Sequence, residues 1–342
     1  MKKIIIIGAG SMGSAFAVPC VENKNDVTVV GTHLENELIN SINYNNKTHP
    51  ALKTQLPKEI NFEKFKKLQT ILKQDPDIIV CSVSSIGIEW FVKQISKNYK
   101  ENISIVLLTK GLSILDNELM TLSDKIKNLL KHEGRSKINI SAIKGPCLAA
   151  GLANKMRTGT VIANKNIKES QSLKEIITTN YYSTEISEDI TGVELSGAIK
   201  NIYSMLIGAA EGLSNSKAPI EIQSKYYLNT SASLIHRSIS EMVEFVSYYG
   251  GKPETAYGLA GLGDLYVSAI GGRNSMMGKY LGDGYLYNEA KEKFMKDITV
   301  EGAQLALEIG PKILQDLNPK HFPLMFSMLK TICENKKLEI DW

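Results

Sequence analysis

The sequence predicts an α/β domain built on a doubly wound sheet, followed by an all-helical domain. Three observations carry this expectation: an apolar strand-like run near the N-terminus that ends in clustered glycines, further strand-like runs interleaved with helical periodicity up to about residue 188, and helical periodicity nearly alone after Asp189. At 342 residues the chain has room for two domains of ordinary size, placed by this reading at residues 1–188 and 189–342.

Taken in order, Ile4 to Ile7 are four consecutive branched residues. They leave no polar side for water, so they predict a parallel strand buried on both faces. GAGSMG follows, with Gly8, Gly10 and Gly13, then a helix from Met12 to about Glu22 and a strand at Val27 to Val30. Further strands are expected at Asp77 to Val83, after Pro76, and at Ile103 to Thr109, with shorter ones at Ile138 to Ile143, Thr160 to Ala163 and Tyr181 to Glu185. Amphipathic helices such as Leu115 to Leu130 between them give the doubly wound arrangement. After Asp189, Leu195, Ala198, Ile199, Ile202, Met205, Leu206 and Ala209 recur at the three-and-four spacing of one helical face, within a helix expected over Gly192 to Gly212. The pattern returns at Leu228 to Tyr248, Val300 to Ile309 and Pro323 to Cys333, while Pro311 and Pro319 are expected to bracket a short polar connection.

Composition excludes several function classes. Hydrophobic residues at 43% and charged residues at 22% argue for a packed globular chain and against disorder. An excess of +4, from 40 basic and 36 acidic residues, is too small to predict a nucleic-acid partner. Cys20, Cys81, Cys147 and Cys333 are scattered without CxxC or metal-ligand spacing, as expected of reduced thiols in a cytoplasmic protein. No metal is expected, and His236 and His321 read as ordinary surface or packed residues. The opening MKKIIII superficially resembles an export signal, but its apolar run is too short for one. No stretch is long and apolar enough to predict a membrane span.

GAGSMG matches GxGxxG after a buried strand and before a helix. Gly8 allows the turn, Gly10 keeps a side chain off a pyrophosphate, and Gly13 permits close helix–strand packing, while the helix start offers unpaired amides to a dianion. At the end of the second strand, VVGTHLENE puts Thr32 and His33 where the residue discriminating NAD from NADP is expected, with Glu35 slightly late. Either group can serve either cofactor, so NAD or NADP is left open.

Lys110, in IVLLTKG, ends a strand, where ligands of doubly wound sheets lie. Gly145-Pro146 ends another. Lys200 sits inside a largely apolar helix, where a lysine must snorkel out, pair with an acid or face a polar cavity. Arg273 offers a planar fork suited to phosphate oxygens, Asn274 an amide donor, and Asp264 a partner for a lysine. The plain alternatives are a solvated strand-end lysine, an interdomain ion pair and an arginine on a helix cap.

Through GAGSMG, LLTKGL, KGPCLA, ELSGAIKN, AGLGDLYVS, GGRN and VEG, in that order, the whole chain resembles the NAD(P)-dependent glycerol-3-phosphate dehydrogenase family. The resemblance implies a Rossmann-type first domain and a helical substrate-binding and catalytic second domain. It implies Lys200 as general acid/base, Lys110 contacting cofactor and substrate, and Asp264 supporting Lys200. Arg273 and Asn274 would receive the substrate phosphate, with Asn201 and Ser268 lining the site. Cofactor contacts map onto Ser11, Met12, His33, Lys110, Ala149, Arg273 and Glu301, and substrate contacts also onto Gly145, Cys147 and Gly272. Met12 stands for a usual aromatic, Gly272 for a frequent Ser, and Cys147 for a usual Ser or Thr, so that only its backbone amide is expected to bind. GTHLENE replaces the usual tryptophan-arginine pattern and is closer to archaeal-type members. The implied partners are dihydroxyacetone phosphate and sn-glycerol 3-phosphate, interconverted on the way to glycerophospholipids, and a homodimer is a possible assembly. Two rival readings remain open here: a 3-hydroxyacid or ketopantoate-type dehydrogenase, and a dinucleotide sensor without catalysis.

Overall fold

The computed structural model describes residues 1–214 and 219–340. By its internal contacts the chain divides into two compact units, Met1–Lys110 with Thr121–Ile190, and Gly111–Met120 with the chain from Thr191 onward.

The strands are β1 (Lys3–Ile7), β2 (Asp26–Val30), a small ribbon of β3 (Thr48–His49) and β4 (Thr54–Gln55), β5 (Asn61–Glu63), β6 (Ile78–Cys81), β7 (Ser104–Leu107), a hairpin of β8 (Leu112–Leu115) and β9 (Glu118–Thr121), β10 (Asn139–Lys144), β11 (Thr158–Ala163) and β12 (Tyr182–Ser187). Eight of them form one sheet in the order β12-β11-β10-β7-β6-β1-β2-β5. All neighbours are parallel except β10 and β11. β1 is an interior strand, with Ile4 paired to both Val27 and Ile78.

The period of two sends Ile4 and Ile6 to one core and Ile5 and Ile7 to the other, all buried, as the four-residue run predicts. Helices α1 (Ser11–Glu22), α2 (Asn36–Tyr44), α6 (Ala149–Ala153) and α7 (Ile167–Ile177) share the Ile4 side, while α3 (Leu68–Leu72), α4 (Ile88–Ile95) and α5 (Leu122–His132) share the Ile5 side. This is the doubly wound architecture of a dinucleotide-binding domain.

The second unit is mostly helical: α8 (Ile190–Gly208), α9 (Ala210–Leu213), α10 (Ile220–Tyr248), α11 (Asp264–Ile270), α12 (Arg273–Gly282), α13 (Tyr287–Phe294), α14 (Glu301–Asp316) and α15 (Pro323–Cys333). The predicted apolar stripe of α8 is its core face, and Leu195, Ile199, Ile202, Met205 and Leu206 are all buried in one cluster.

Two expectations are corrected. Leu115 to Leu130 is not one helix: β8 and β9 turn at Asp116 and Asn117, both left-handed with φ of 51° and 64°, and α5 starts only at Leu122. Asp and Asn adopt that conformation more readily than other side chains, which lets two residues reverse the chain. The hairpin joins the helical unit, where Leu112 is buried with Leu195 and Ala303 in its core, so that unit is not purely helical. Pro311 likewise lies within α14 rather than in a connection. Leu305, Ala306, Ile309 and Ile313 keep one face buried across it, and that burial outweighs the missing N–H.

α8 meets its neighbours at backbone distance. A β-carbon at Gly278 would stand 1.9 Å from the Met205 carbonyl oxygen, and one at Gly302 would stand 2.3 Å from that of Asn201. These glycines let α12 and α14 seat directly on α8.

A buried carboxyl ties three helices of this unit. Glu241 on α10 accepts the Leu324 N–H at 2.7 Å, the Met325 N–H at 2.9 Å and the Tyr203 hydroxyl at 3.0 Å, and so joins the first turn of α15 to α8. Burial pushes its pKa up to about 7, against the opposing pull of the two amides, Tyr203 and Arg237. The folded state therefore holds this proton more tightly than the unfolded chain, whose carboxyl titrates near 4.5. Its stabilising contribution is full below that value and is lost as the pH rises through 7. Against Glu241→Gln, which does not titrate, wild-type unfolding free energy should fall by about 3 kcal/mol between about pH 4.5 and 8. Denaturant titrations of both proteins check this, and a pH-independent difference refutes it.

Candidate active site

In the first unit the glycine turn stands where the sequence predicts, between β1 and α1. The β-carbon of a residue at Gly13 would lie 2.2 Å from the Gly8 carbonyl oxygen, and one at Gly8 would lie 2.5 Å from that of Ser82. Both glycines are thus required by the protein's own packing. Gly10 is different: its φ is −59°, and a β-carbon there would meet only Glu35 Oε1, at 3.7 Å. Packing does not exclude a side chain at Gly10, whereas close approach of a pyrophosphate would. Gly10 is also the N-cap of α1 and supplies no side-chain hydrogen bond. Ser11, Met12 and Gly13 form the first turn, whose amides have no partner within the helix. A helix start of this kind favours an anion.

Around this turn the structure gives Glu35 and His33 partners, two of them, Phe65 and Trp90, absent from the sequence reading. Glu35 Oε2 accepts the Ala9 N–H at 3.1 Å and the Thr32 N–H at 2.7 Å, so the acid read as slightly late sits on the glycine loop itself. A sharp turn after Thr32, closed by Glu35 N–H to Thr32 O, brings it back. His33 is exposed and stands 6.1 Å from the Phe65 ring and 5.6 Å from the Trp90 ring, centroid to centroid. Phe65 and Trp90 come from distant stretches that carry no sequence signal for this grouping.

Two neighbouring strands deliver the other candidates of this unit. Lys110 follows β7, is half-buried and donates through Nζ to the Gly145 carbonyl at 3.4 Å. Gly145, with φ of 142°, follows β10. The Cys147 N–H donates to the same Gly145 oxygen at 2.8 Å. That amide, expected to face substrate, is therefore turned into its own loop. Ala149 begins α6 and is half-buried.

In the second unit Lys200 is 3% exposed, and its Nζ donates to Asp264 Oδ1 at 2.8 Å and to Ser268 Oγ. Asp264 and Ser268 lie one turn apart on α11, so one helical face supplies both acceptors. The next residue on α8, Asn201, accepts through Oδ1 from Asn274 Nδ2 at 2.9 Å, and Asn274 Oδ1 in turn accepts the Gly302 N–H at 2.9 Å. Asn274, read from sequence as a phosphate donor, is buried and joins α8 to the start of α14. Arg273 is half-exposed and pairs with Glu301. Gly272, with φ of 115°, makes the turn that starts α12 there. Lys200, Asn201, Asp264, Ser268, Gly272, Arg273, Asn274 and Glu301 are thus gathered on four helices of one unit. Among the described residues no group of three or more His, Cys, Asp or Glu is arranged to hold a metal ion, and no helix is long and apolar enough to cross a membrane.

Comparison with known proteins accounts for both units. The N-terminal model of NAD-dependent glycerol-3-phosphate dehydrogenase matches residues 3–170, and the C-terminal model matches residues 189–340. The NADP(+)-dependent glycerol-3-phosphate dehydrogenase of Archaeoglobus fulgidus is 34% identical across 98% of this chain and 96% of that protein. The chain belongs to the NAD-dependent glycerol-3-phosphate dehydrogenase family. As a member it is an NAD(P)-dependent oxidoreductase. A glycerol-3-phosphate dehydrogenase [NAD(P)+] of Clostridium botulinum is 29% identical over 89% of this chain and 85% of its own length. The crystal structure of glycerol-3-phosphate dehydrogenase from Coxiella burnetii superposes with a TM-score of 0.81 at 25% identity, covering 98% of this chain and 96% of that one. A PanE/ApbA family ketopantoate reductase from Ralstonia eutropha, at TM-score 0.57 and 12% identity, shares the general fold alone.

Two tests follow for this glycerol-3-phosphate dehydrogenase family member. Gly10→Ala should fold normally yet weaken NAD(P)H binding about 10-fold or more, a loss of about 1.4 kcal/mol, while Gly13→Ala should lower the melting temperature. Fluorescence titration and thermal melts separate the two, and equal cofactor affinity in wild type and Gly10→Ala refutes the assignment. Removing one partner of the buried pair, as in Lys200→Ala or Asp264→Ala, should destabilise the fold by about 3–5 kcal/mol, because a buried charge is left uncompensated. Lys200→Met with Asp264→Leu should recover most of that loss in a denaturant titration.

Proposed function

We propose that this chain catalyses the reversible NAD(P)H-dependent reduction of dihydroxyacetone phosphate to sn-glycerol 3-phosphate, feeding glycerophospholipid synthesis. The buried ammonium of Lys200, clasped by Asp264 and Ser268 on one face of α11, supports this above all. The family membership and the helical position of Lys200 agree with it.

The amides of Ser11, Met12 and Gly13 and the open side of Gly10 fit the pyrophosphate of a dinucleotide. When bound, the nicotinamide supplies or accepts the hydride. As negative charge gathers on the substrate's carbonyl oxygen, Lys200 stabilises it and gives up its proton. Asp264 and Ser268 hold the ammonium at one place, so no reorientation is needed when the charge develops. In the oxidising direction the same lysine must first be neutral, which Asp264 opposes. Lys110 contacts cofactor and substrate from the end of β7. Arg273 takes the phosphate through its planar fork, exchanging its pairing with Glu301 for a dianion. Asn274 stands beside Arg273 at the phosphate and also fixes Asn201 through its side chain.

Cofactor choice has two opposed pointers. A carboxylate at the glycine loop, Glu35, favours the free ribose hydroxyls of NAD. The 34%-identical relative is named NADP(+)-dependent. A comparison of NADH with NADPH decides between them.

A spectrophotometric assay with dihydroxyacetone phosphate and with unphosphorylated dihydroxyacetone tests the assignment. Turnover should require the phosphate. Lys200→Ala should lower kcat by about 10²–10⁴-fold. Arg273→Ala should chiefly raise KM for the phosphorylated substrate, by about 1.5–3 kcal/mol in binding, with little change for dihydroxyacetone. Indifference to the phosphate, or preference for a 2-keto or 3-hydroxy acid, would assign the chain to the ketopantoate or hydroxyacid reaction instead.

A further inference from the structure

One buried lysine of the first unit has no part in the roles above. Lys144 is the last residue of β10 and is 2% exposed, one of the largest fully buried side chains of the protein. Its Nζ donates to the carbonyl oxygen of Leu107, the last residue of β7, at 3.1 Å. β7 and β10 are adjacent parallel strands whose ladder ends at the pair Ala142↔Leu107. Beyond that pair, main-chain hydrogen bonds of the ladder no longer fix one strand to the other.

At this point two lysines cross. Lys144, from the end of β10, reaches back to β7, and Lys110, three residues past the end of β7, reaches over to Gly145 O on the chain leaving β10. Each strand exit is thus held by the ammonium of the other. Burial of an ammonium is costly even with partners, whereas a methionine of similar length carries no charge to desolvate. The rest of β10 is Asn-Ile-Ser-Ala-Ile, so a charged residue at its end is not the choice that packing favours.

We propose that Lys144 is a positioning residue for Lys110: by fixing the carboxyl end of β7 from the neighbouring strand, it sets where the chain delivers the Lys110 ammonium. This rests on the reading of Lys110 as a cofactor and substrate contact. Lys144 itself touches neither ligand, and its contribution passes through Lys110.

A double-mutant cycle on the full chain tests this. Lys144→Met, Lys110→Met and the double variant are compared with wild type for kcat and KM with dihydroxyacetone phosphate, for NAD(P)H affinity by fluorescence, and for melting temperature. Lys144→Met should remain folded, because loss of the buried charge offsets the Leu107 carbonyl left without its donor. Its kcat/KM should nevertheless fall about 10–100-fold, the scale of an ångström-level misplacement of a contact group. In the Lys110→Met background the same change should alter kcat/KM less than about 2-fold, because the two residues act as one unit. Losses that multiply in the double variant, or a folded Lys144→Met with wild-type kinetics, would overturn the proposal. Lys144→Gln, which keeps a donor for Leu107 O, should retain more activity than Lys144→Met, and it carries the cycle if the methionine variant does not fold. If wild type binds NAD(P)H but does not turn over dihydroxyacetone phosphate, the reaction assignment fails. The cycle is then read from NAD(P)H affinity, where additivity still overturns the role of Lys144.

Discussion

The ion pair between Lys200 and Asp264 is the interaction on which the helical unit is organised. Both side chains are buried, so neither charge can be left alone without a large desolvation cost. That requirement fixes α8 against α11. The same helix must also accept α12 and α14 at backbone distance, which Gly278 and Gly302 permit. Asn274 then bridges Asn201 to the start of α14, so the polar groups around Lys200 are held from three sides. An ammonium in such a setting is already oriented, which is what the proposed acid/base role needs if no energy is to be spent on reorganisation during reaction.

The first unit solves a different problem, the bracing of a glycine turn and two strand exits that the proposed function would turn toward an anion. β1, buried on both faces, is held in place by apolar layers on each side of the sheet. Its exit can therefore turn sharply at Gly8 and pass directly into α1, whose first amides have no partner within the helix. Glu35 braces that turn through the amides of Ala9 and Thr32. On the neighbouring strands, crossed lysines secure the exits of β7 and β10 where the sheet ladder stops. The common principle is that a loop carrying function is made rigid by groups outside the loop.

How much of this was legible depended on whether the signal was local. Ile4 to Ile7 and GAGSMG announce a buried strand, a turn and a helix start within ten residues, and the structure has them. The stripe from Leu195 to Leu206 likewise declares one buried face. The β8–β9 hairpin was misread because apolar spacing in Leu115 to Leu130 suits a helix, although Asp116-Asn117 is a two-residue turn signal. Pro311, expected to flank a polar connection, lies inside α14, where residues buried on either side of it hold the helix together. Asn274 and the Cys147 amide, donors in the sequence reading, also find acceptors inside the protein, Asn201 Oδ1 and Gly145 O. Spacing along the chain says nothing about which partner a donor finds.

By itself the sequence determined the order of elements, the glycine turn and the presence of lysines in apolar surroundings, because those follow from side-chain volume, polarity and periodicity along one segment. The residues drawn from four separated stretches into the Lys200 cluster, the Glu35 brace and the Lys144–Lys110 crossing were decided only by tertiary structure. Hydrogen bonds and ion pairs act over about 3 Å, and only the packing of helices and strands brings residues dozens of positions apart within that range.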